Sequence, residues 1–278
     1  MPETINYQES SLRIDGAIAE FTHLQGGKRN PMTMGLRDDY ARMLDVILRS
    51  KEVRALILTG SGGSFCAGGD VKGMRERLSS QDPWQNSPDA TRRRLEDSHR
   101  WLQTLRELDI PVIAAIDGAA AGAGFSLALQ ADFLLASTSA VFSMAFARIG
   151  AVPDFGALYL LPRLIGLSHA KELMLSGRKV RAEEAKALGF VHAIHSPDDL
   201  LKEARRLALQ LSHGPREANA MTKKLLNRSF ETDYGSMATL EAYAQGIAMD
   251  TPFHAEAAAR FATGQQPIYD WEKLEAES

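Results

Sequence analysis

Apolar and polar positions repeat with different periods along the first part of the chain. Positions 12–23 alternate between apolar and polar side chains, which is the period of a strand with one buried face. Positions 53–59 (VRALILT) and 111–117 (PVIAAID) are short and almost continuously apolar, as is typical of strands buried on both faces. The pattern therefore predicts three strands that each run into a turn.

Helical segments are predicted between and after these strands. The segments between them are 33–50, 90–108 and 124–131. Such an alternation is typical of an α/β fold with parallel strands. After an apolar segment at 190–194 the pattern is almost wholly helical, over 198–212, 216–230 and 237–261. We expect an α/β core over 1–195, followed by a helical C-terminal subdomain over 196–278.

Three further segments bear on surface exposure, membrane insertion and secretion. Segment 79–89 (SSQDPWQNSPD) is rich in turn-forming residues and is predicted to be a mobile surface loop. The longest apolar stretch, 111–131, contains Asp117, three glycines and Gln130, which favours buried core over a membrane span. The first residues have neither the basic nor the apolar region of a secretory signal.

Composition excludes several classes of protein. The 278 residues are 45% hydrophobic and 24% charged, so a disordered or collagen-like chain is excluded. A net charge of -3 gives no general attraction for nucleic acid or anionic lipid. The lone cysteine, Cys66, cannot form an internal disulfide, and no metal-ligand spacing of histidine and cysteine occurs. We expect a cytoplasmic protein without a metal, a nucleic-acid partner or a membrane partner.

Glycine clusters follow two of the predicted strands. Segment 61–72 (SGGSFCAGGDVK) comes after the strand ending at Thr59, and segment 118–124 (GAAAGAG) leads into a predicted helix. Neither has the spacing of a P-loop or of a dinucleotide-binding motif. Glycine-rich turns leave backbone N–H groups open, and two such turns in one sheet can hold a carbonyl oxygen that gains negative charge. Ordinary turns and tight helix packing are the alternatives.

The sequence FCAGGDVK, together with GAAAGAGFSLALQAD, resembles the enoyl-CoA hydratase/isomerase, or crotonase, superfamily. Segment 27–32 (GKRNPM) is similar to the family's early CoA-contacting loop, and 175–191 is similar to a later segment. The resemblance extends from about residue 12 to residue 261. It implies an α/β spiral of ββα units, a helical C-terminal trimerisation region, a homotrimer or hexamer, and an acyl-CoA substrate, with no cofactor because the CoA is part of the substrate.

The resemblance also assigns roles to individual residues. The two oxyanion donors correspond to the backbone N–H groups of Gly69 and Ala123, where alanine replaces the family's commoner glycine. Lys28 and Lys72 could instead be ordinary solvated surface lysines. Asp70 could instead be only the N-cap of the following helix. The residues implied to line the CoA tract are Lys28, Asn30, Ala67, Gly68, Asp70, Val71 and Lys72.

Replacement of two glutamates of the family narrows the choice of reaction. Hydratases of this family use two glutamates, and the matching positions hold Ser126 and Phe146, so water addition is disfavoured. Asp154, in VPDFG, matches the acidic residue of isomerases that act on ring-opened phenylacetyl-CoA. One carboxylate suffices for a 1,3-proton shift if an oxyanion hole stabilises the enolate. We predict an isomerase with Asp154 as its catalytic base, in an acyl pocket whose apolar wall includes Phe142, Phe146 and Phe155.

Several alternatives stay open at the level of sequence. Asp154 has the position of a helix N-cap, which would lower its pKa. His99 is expected on a surface helix, but beside Asp154 it would suit a dehalogenase-type hydrolysis. Glu76 or Glu96 could replace the missing glutamates of a hydratase. A non-catalytic acyl-CoA binding protein is the alternative of another class.

Overall fold

The computed structural model of the chain describes residues 2–276. The strands are β1 (Glu3–Asn6), β2 (Ser10–Asp15), β3 (Ile18–His23), β4 (Ala55–Gly60), β5 (Ser64–Cys66), β6 (Val112–Ile116), β7 (Ala119–Ala121), β8 (Phe133–Ser137), β9 (Val141–Ser143), β10 (Lys179–Arg181) and β11 (Ala193–His195). The helices are α1 (Met34–Arg49), α2 (Val71–Leu78), α3 (Pro88–Arg106), α4 (Ala123–Ala128), α5 (Ala157–Ser176), α6 (Ala182–Leu188), α7 (Pro197–Ser212), α8 (Arg216–Leu226), α9 (Tyr234–Met249), α10 (Pro252–Ala262) and α11 (Trp271–Ala276).

Two sheets are built from a repeated unit. The larger sheet has the order β1-β2-β3-β4-β6-β8-β11 and is parallel from β3 onward, whereas the smaller has the order β10-β9-β7-β5. The pairs β4–β5, β6–β7 and β8–β9 each give one strand to each sheet before the chain enters a helix. The α/β spiral of ββα units that the motifs imply is therefore confirmed.

The central strands β4 and β6 of the larger sheet are buried on both faces, as the apolar runs at 53–59 and 111–117 predict. One face of β4 and β6 packs against α7, where Leu200, Ala204 and Leu207 meet Ile57 and Ile113. The opposite face belongs to the main core, with side chains from α1, α3 and the smaller sheet. Helix α7 thus covers the sheet of the core, although it lies in the segment 196–278 that the pattern predicts as a separate helical subdomain.

Several bounds differ from the predicted ones, and three of the differences change an element or a loop. Segment 12–23 is a hairpin of β2 and β3 rather than one strand, because Gly16 turns the chain with a φ of 58°. The helix expected over 237–261 is two helices, since Thr251 caps α10 and Pro252 stands at its first position. Much of the predicted loop at 79–89 is turn, but α3 already begins at Pro88.

The C-terminal helices α9 and α10 contain no buried residue. Their exposed apolar side chains include Tyr234, Tyr243, Ile247, Met249 and Phe261. Apolar surface of this extent is typical of faces that pack against another chain. Within residues 2–276, none of the helices has the length and hydropathy needed to span a membrane.

Candidate active site

The ends of β5 and β7 lie side by side because these strands are parallel neighbours in the smaller sheet. Each is followed by one of the glycine clusters. A Cβ at Gly68 would lie 2.6 Å from the carbonyl oxygen of Ala121, and a Cβ at Gly124 would overlap the carbonyl of Cys66. Only glycine permits such an approach. The glycines therefore bring the turn after β5 against the turn after β7.

Two backbone N–H groups are left unpaired at this edge. The carbonyl of Gly68 accepts a hydrogen bond from the N–H of Met32 (2.8 Å), but the N–H of Gly69 meets no acceptor among residues 2–276. Ala123 is the first residue of α4, where a backbone N–H has no acceptor within its own helix. The structure thus brings together the two amides that the resemblance assigns as oxyanion donors.

Asp154 precedes a turn with unusual backbone angles. Phe155 has a φ of 53° and Gly156 a φ of 81°, and the left-handed region is unfavourable for a bulky residue such as Phe155. Two contacts hold the turn in place. The amide of Gln130 donates to the Phe155 carbonyl (2.6 Å), and the buried Phe155 ring packs edge-on against Trp101 at 5.7 Å.

The carboxylate of Asp154 does not cap α5. The residue preceding that helix is Gly156, and no side chain caps it. The N–H of Ala157 donates to the backbone carbonyl of Asp154 (3.1 Å), not to its carboxylate. The helix-cap interpretation of Asp154 is therefore wrong, and the carboxylate is free for another role.

The environment of Asp154 suits a base. Its Oδ1 atom is buried and has no hydrogen-bond partner in the described part of the chain. Burial raises the pKa of Asp154 above the ordinary carboxyl value, while the charges of Arg37 and His99 act in the opposite direction. Desolvation of this kind makes a carboxylate a stronger base.

Arg37 is a site residue that no pattern in the sequence singles out. Its Nη1 atom donates to the Oγ atom of Ser98 (3.0 Å), and its guanidinium lies 5.0 Å from the centre of the Phe155 ring. Burial lowers its pKa, and the charge of Asp154 partly opposes that effect. On the amphipathic helix 33–50 this arginine resembles any surface cation.

The two positions of the family's glutamates carry no acid. Ser126 is fully buried, and its hydroxyl donates to the Gly122 carbonyl one turn earlier (3.2 Å). The ring of Phe146 lies against Gly122, beside the turn that presents Ala123. Phe142, expected in the same wall, instead packs between Phe125 and Phe190 in the core.

The acidic residues considered as replacements lie in surface ion pairs. Glu76 is exposed and lies 3.9 Å from Lys72 on α2, and Glu96 is exposed and pairs with Arg92 on α3. His99 is exposed on α3, although its charge reaches Asp154. Neither glutamate is placed to activate water beside the two free amides.

The early loop assigned to CoA has a buried part and an exposed part. Asn30 is fully buried, and its amide donates to the carbonyls of Ser61 (3.0 Å) and Ser64 (2.6 Å). The N–H of Ala67 donates back to this loop. Lys28 is exposed. The side chain of Asn30 therefore supports the β4–β5 turn, while Lys28 is free to meet a ligand.

Helix α2 covers the oxyanion edge. Val71 and Lys72 are exposed at its start, and Asp70 precedes it without capping it. The methyl group of Met74 lies directly against Gly69. Because methionine is flexible and unbranched, its side chain can cover the donor and also move away from it.

The size of a cavity does not identify this site. A cavity of about 590 Å³ lies between Leu129, Lys223 and Phe230. Its lining includes none of the residues assigned to catalysis or to CoA. The free amides and the buried carboxylate mark the site, although α2 covers it.

Comparisons with known proteins agree with this geometry. The family model described as enoyl-CoA hydratase/isomerase matches residues 13–270. The chain is 32% identical over 229 residues to the 1,2-epoxyphenylacetyl-CoA isomerase of Escherichia coli, covering 82% of this chain and 86% of that protein. It is 37% identical over 196 residues to a probable enoyl-CoA hydratase of Rhodobacter capsulatus, covering 70% and 72%.

A solved structure extends the likeness to the fold. The crystal structure of an enoyl-CoA hydratase/isomerase from Cupriavidus metallidurans superimposes with a TM-score of 0.89 at 37% identity, covering 95% of this chain and 97% of that chain. The family match spans both glycine turns, the Asp154 segment and most of the C-terminal helices. The chain therefore belongs to the enoyl-CoA hydratase/isomerase family and is an acyl-CoA enzyme of that type.

Proposed function

We propose that this enzyme is an enoyl-CoA isomerase that moves a carbon–carbon double bond by a 1,3-proton shift through Asp154. The observation that carries the proposal is the buried Oδ1 atom of Asp154, which has no partner within residues 2–276. The hydratase positions hold Ser126 and Phe146, neither of which can exchange a proton with water as a carboxylate does.

The proposed reaction needs one base and one oxyanion hole. The Asp154 carboxylate takes a proton from C2 or C4 of the acyl chain, and the electron pair moves onto the thioester oxygen. The N–H groups of Gly69 and Ala123 hold that oxygen while it is negative. Asp154 then returns the proton to the other carbon, so no water is consumed.

The charges around Asp154 suit both halves of the shuttle. Burial raises its pKa, which increases its affinity for the proton, whereas Arg37 favours the ionised form that begins the reaction. A base whose pKa lies nearer the working pH both accepts and releases a proton readily. Phe146 supplies the apolar surface beside the oxyanion turn.

Water addition is the second candidate, and it matches the name of the R. capsulatus relative. It requires two acid/base groups. Glu76 and Glu96 lie in surface ion pairs, so a hydratase reaction would have to proceed through Asp154 and a water molecule alone. A hydrolysis assisted by His99 would require that exposed side chain to turn into the site.

The proposed function also includes a CoA-binding surface and an assembly of several copies of the chain. We propose that Lys28, Lys72 and Val71 border the CoA, with the turn of Ala67 and Gly68 beneath the thioester and Asp70 at its side. The exposed apolar faces of α9 and α10 support assembly as a homotrimer or a dimer of trimers. We also propose a cytoplasmic role in fatty acyl-chain metabolism. Light scattering of the purified enzyme measures the assembly.

Proton exchange tests the proposed reaction. The enzyme is incubated in deuterated water with 3-enoyl-CoA or 2-enoyl-CoA, and deuterium at C2 and C4 is followed by NMR. We expect migration of the double bond, with label at both carbons as the proton on Asp154 exchanges with solvent over repeated turnovers, and a loss of at least about a hundredfold in Asp154→Asn, as for removal of a general base. Asp38→Asn, an exposed acid on α1, is the matched control.

Two results would contradict the proposal. Formation of a 3-hydroxyacyl product would show that water is added. Unchanged exchange in Asp154→Asn would show that another group carries the proton.

A further inference from the structure

Arginines from three different helices converge beside the catalytic groups. Arg37 on α1, Arg77 on α2 and Arg94 on α3 line one small cavity of about 20 Å³, together with Asp70 and Met74. The methyl group of Met74 rests on the proposed oxyanion donor Gly69. The arginine cluster, defined by Arg37, Arg77 and Arg94, therefore borders the acyl side of the site.

The position of the cluster is fixed at both ends. At one end Met74 and Asp70 connect it to the oxyanion edge. At the other end Arg37 is close enough to Asp154 for each charge to shift the pKa of the other group. With its thioester at Gly69 and a reacting carbon at Asp154, an acyl chain lies within reach of these arginines.

No carboxylate forms a close ion pair with the cluster in the described chain, although Asp70 lines its cavity and the charge of Asp154 acts on Arg37. Within residues 2–276 none of its three arginines forms an ion pair. Arg94 donates only to the Gln85 carbonyl (3.1 Å) and to the hydroxyl of Thr91 (2.9 Å). The Nε atom of Arg37 is buried and has no partner in the described chain.

The arginines repel one another. Burial is the main cause that lowers the pKa of Arg37, and the charges of Arg77 and Arg94 lower it further. Burial and the charge of Arg77 lower the pKa of Arg94 in the same way. By contrast, Arg92 on the same helix is exposed and pairs with Asp89 and Glu96. A shared anionic partner would relieve the repulsion within the cluster.

We infer that the acyl pocket takes a thioester whose acyl chain ends in a carboxylate, held by the arginine cluster. The inference rests on the proposed function, since it places the acyl chain between Gly69 and Asp154. Planar guanidinium groups bind a carboxylate through paired hydrogen bonds. The present cavity has room for about one water molecule, so Met74 and α2 must move to admit the chain.

A CoA phosphate is the other anion that could occupy the cluster, because phosphates also bind arginine. Binding of matched ligands separates the two. The first pair is a saturated acyl-CoA that ends in a carboxylate and one of equal length that ends in a methyl group. Saturated chains cannot isomerise, so their binding does not depend on the proposed reaction. The second pair carries the same acyl groups on N-acetylcysteamine, which has no phosphate.

Calorimetry on the 278-residue enzyme measures the affinity for each of these ligands. We expect the carboxylate-ended ligand of each pair to bind at least about tenfold tighter, as for a charge-assisted hydrogen bond. Arg77→Met and Arg94→Met should each lose about tenfold in affinity for that ligand and little for its methyl-ended partner. Arg75→Met on α2 and Arg100→Met on α3, both exposed, should keep the preference, and Arg77→Lys should lose less than Arg77→Met.

Three outcomes overturn the inference: no preference in the native enzyme, a preference unchanged in both cluster variants, or cluster variants that weaken both CoA ligands equally and leave both N-acetylcysteamine ligands unchanged. The last would assign the cluster to a CoA phosphate. Migration of the double bond in a 3-enoyl-CoA, with proton exchange in deuterated water, is measured on the same enzyme preparations. Exchange without the preference leaves the isomerase and removes this inference, whereas the preference without exchange keeps the carboxylate site and removes the isomerase.

Discussion

Backbone atoms form one side of the site, and side chains form the other. Gly69 and Ala123 present their amides where two parallel strands end, and close backbone contacts at Gly68 and Gly124 hold that edge. Around Asp154 the parts are instead side chains: the Gln130 amide donates to the carbonyl of the next residue, Phe155, and the Arg37 guanidinium acts on the carboxylate through its charge.

The two constructions tolerate change differently. A close contact between backbone segments leaves no room for an added atom, because backbone atoms cannot move independently of their strands. A site held by side chains can lose one hydrogen bond and keep its fold. We therefore expect substitutions at the glycine edge to act on the fold, and substitutions around Asp154 to act in graded steps on the reaction.

The largest effect is expected for Gly124→Ala. The added Cβ overlaps the carbonyl of Cys66, so α4 and β5 must separate. We expect a loss of more than about 3 kcal/mol in the free energy of unfolding, in the range of overpacked and strained positions, measured by urea denaturation. Gly27→Ala is the matched control, because a Cβ there meets no atom within 4 Å. Equal stability of both variants would show that the edge can relax.

A smaller effect, on the reaction rather than the fold, is expected for Gln130→Ala. Without the Gln130 amide the carbonyl of Phe155 is left unpaired, and the left-handed turn that orients Asp154 loses its support. We expect kcat to fall by about ten- to a hundredfold with little change in KM, as for a misplaced catalytic group.

The control for this prediction is Gln103→Ala, an exposed glutamine on α3. Steady-state rates with the 3-enoyl-CoA are compared with thermal melting of the same samples. A lower melting temperature with an unchanged kcat would mean that Gln130 only stabilises the turn and does not position the base.

The same division explains what could be predicted from the sequence. The glycine edge depends on residues within a few positions of two strand ends, and both segments, 61–72 and 118–124, stand out in the sequence. The hydratase glutamates are visibly replaced at Ser126 and Phe146. Asp154 was found only through its resemblance to a family motif, since a helix cap has the same local pattern.

The contacts around Asp154 join distant parts of the chain. Arg37 meets Ser98, 61 positions later, and Gln130 meets Phe155, 25 positions later. Such contacts depend on how α1 and α3 pack, which no local period records. The hairpin of β2 and β3 was missed for a related reason, because Gly16 continues the alternation of apolar and polar positions while it reverses the chain.

The smallest effect is expected for Arg37→Gln, and it concerns pH. The charge of Arg37 lowers the pKa of Asp154, so its removal raises that pKa further. The base must be ionised to accept a proton, so the acid limb of kcat/KM should move to higher pH. On the acid limb the variant is slower than the native enzyme, whereas well above the limb Asp154 is ionised in both enzymes and the rates converge.

A pH profile of kcat/KM with the 3-enoyl-CoA measures this shift. Arg49→Gln, at the exposed end of the same helix, should leave the limb in place. Glutamine retains a donor for the Ser98 hydroxyl, which separates the loss of charge from the loss of that hydrogen bond. A limb that moves to lower pH, or that does not move, would mean that Arg37 does not favour the ionised form of Asp154 during catalysis. In that case its remaining partner would be the acyl chain, and the side-chain half of the site would serve specificity rather than proton transfer.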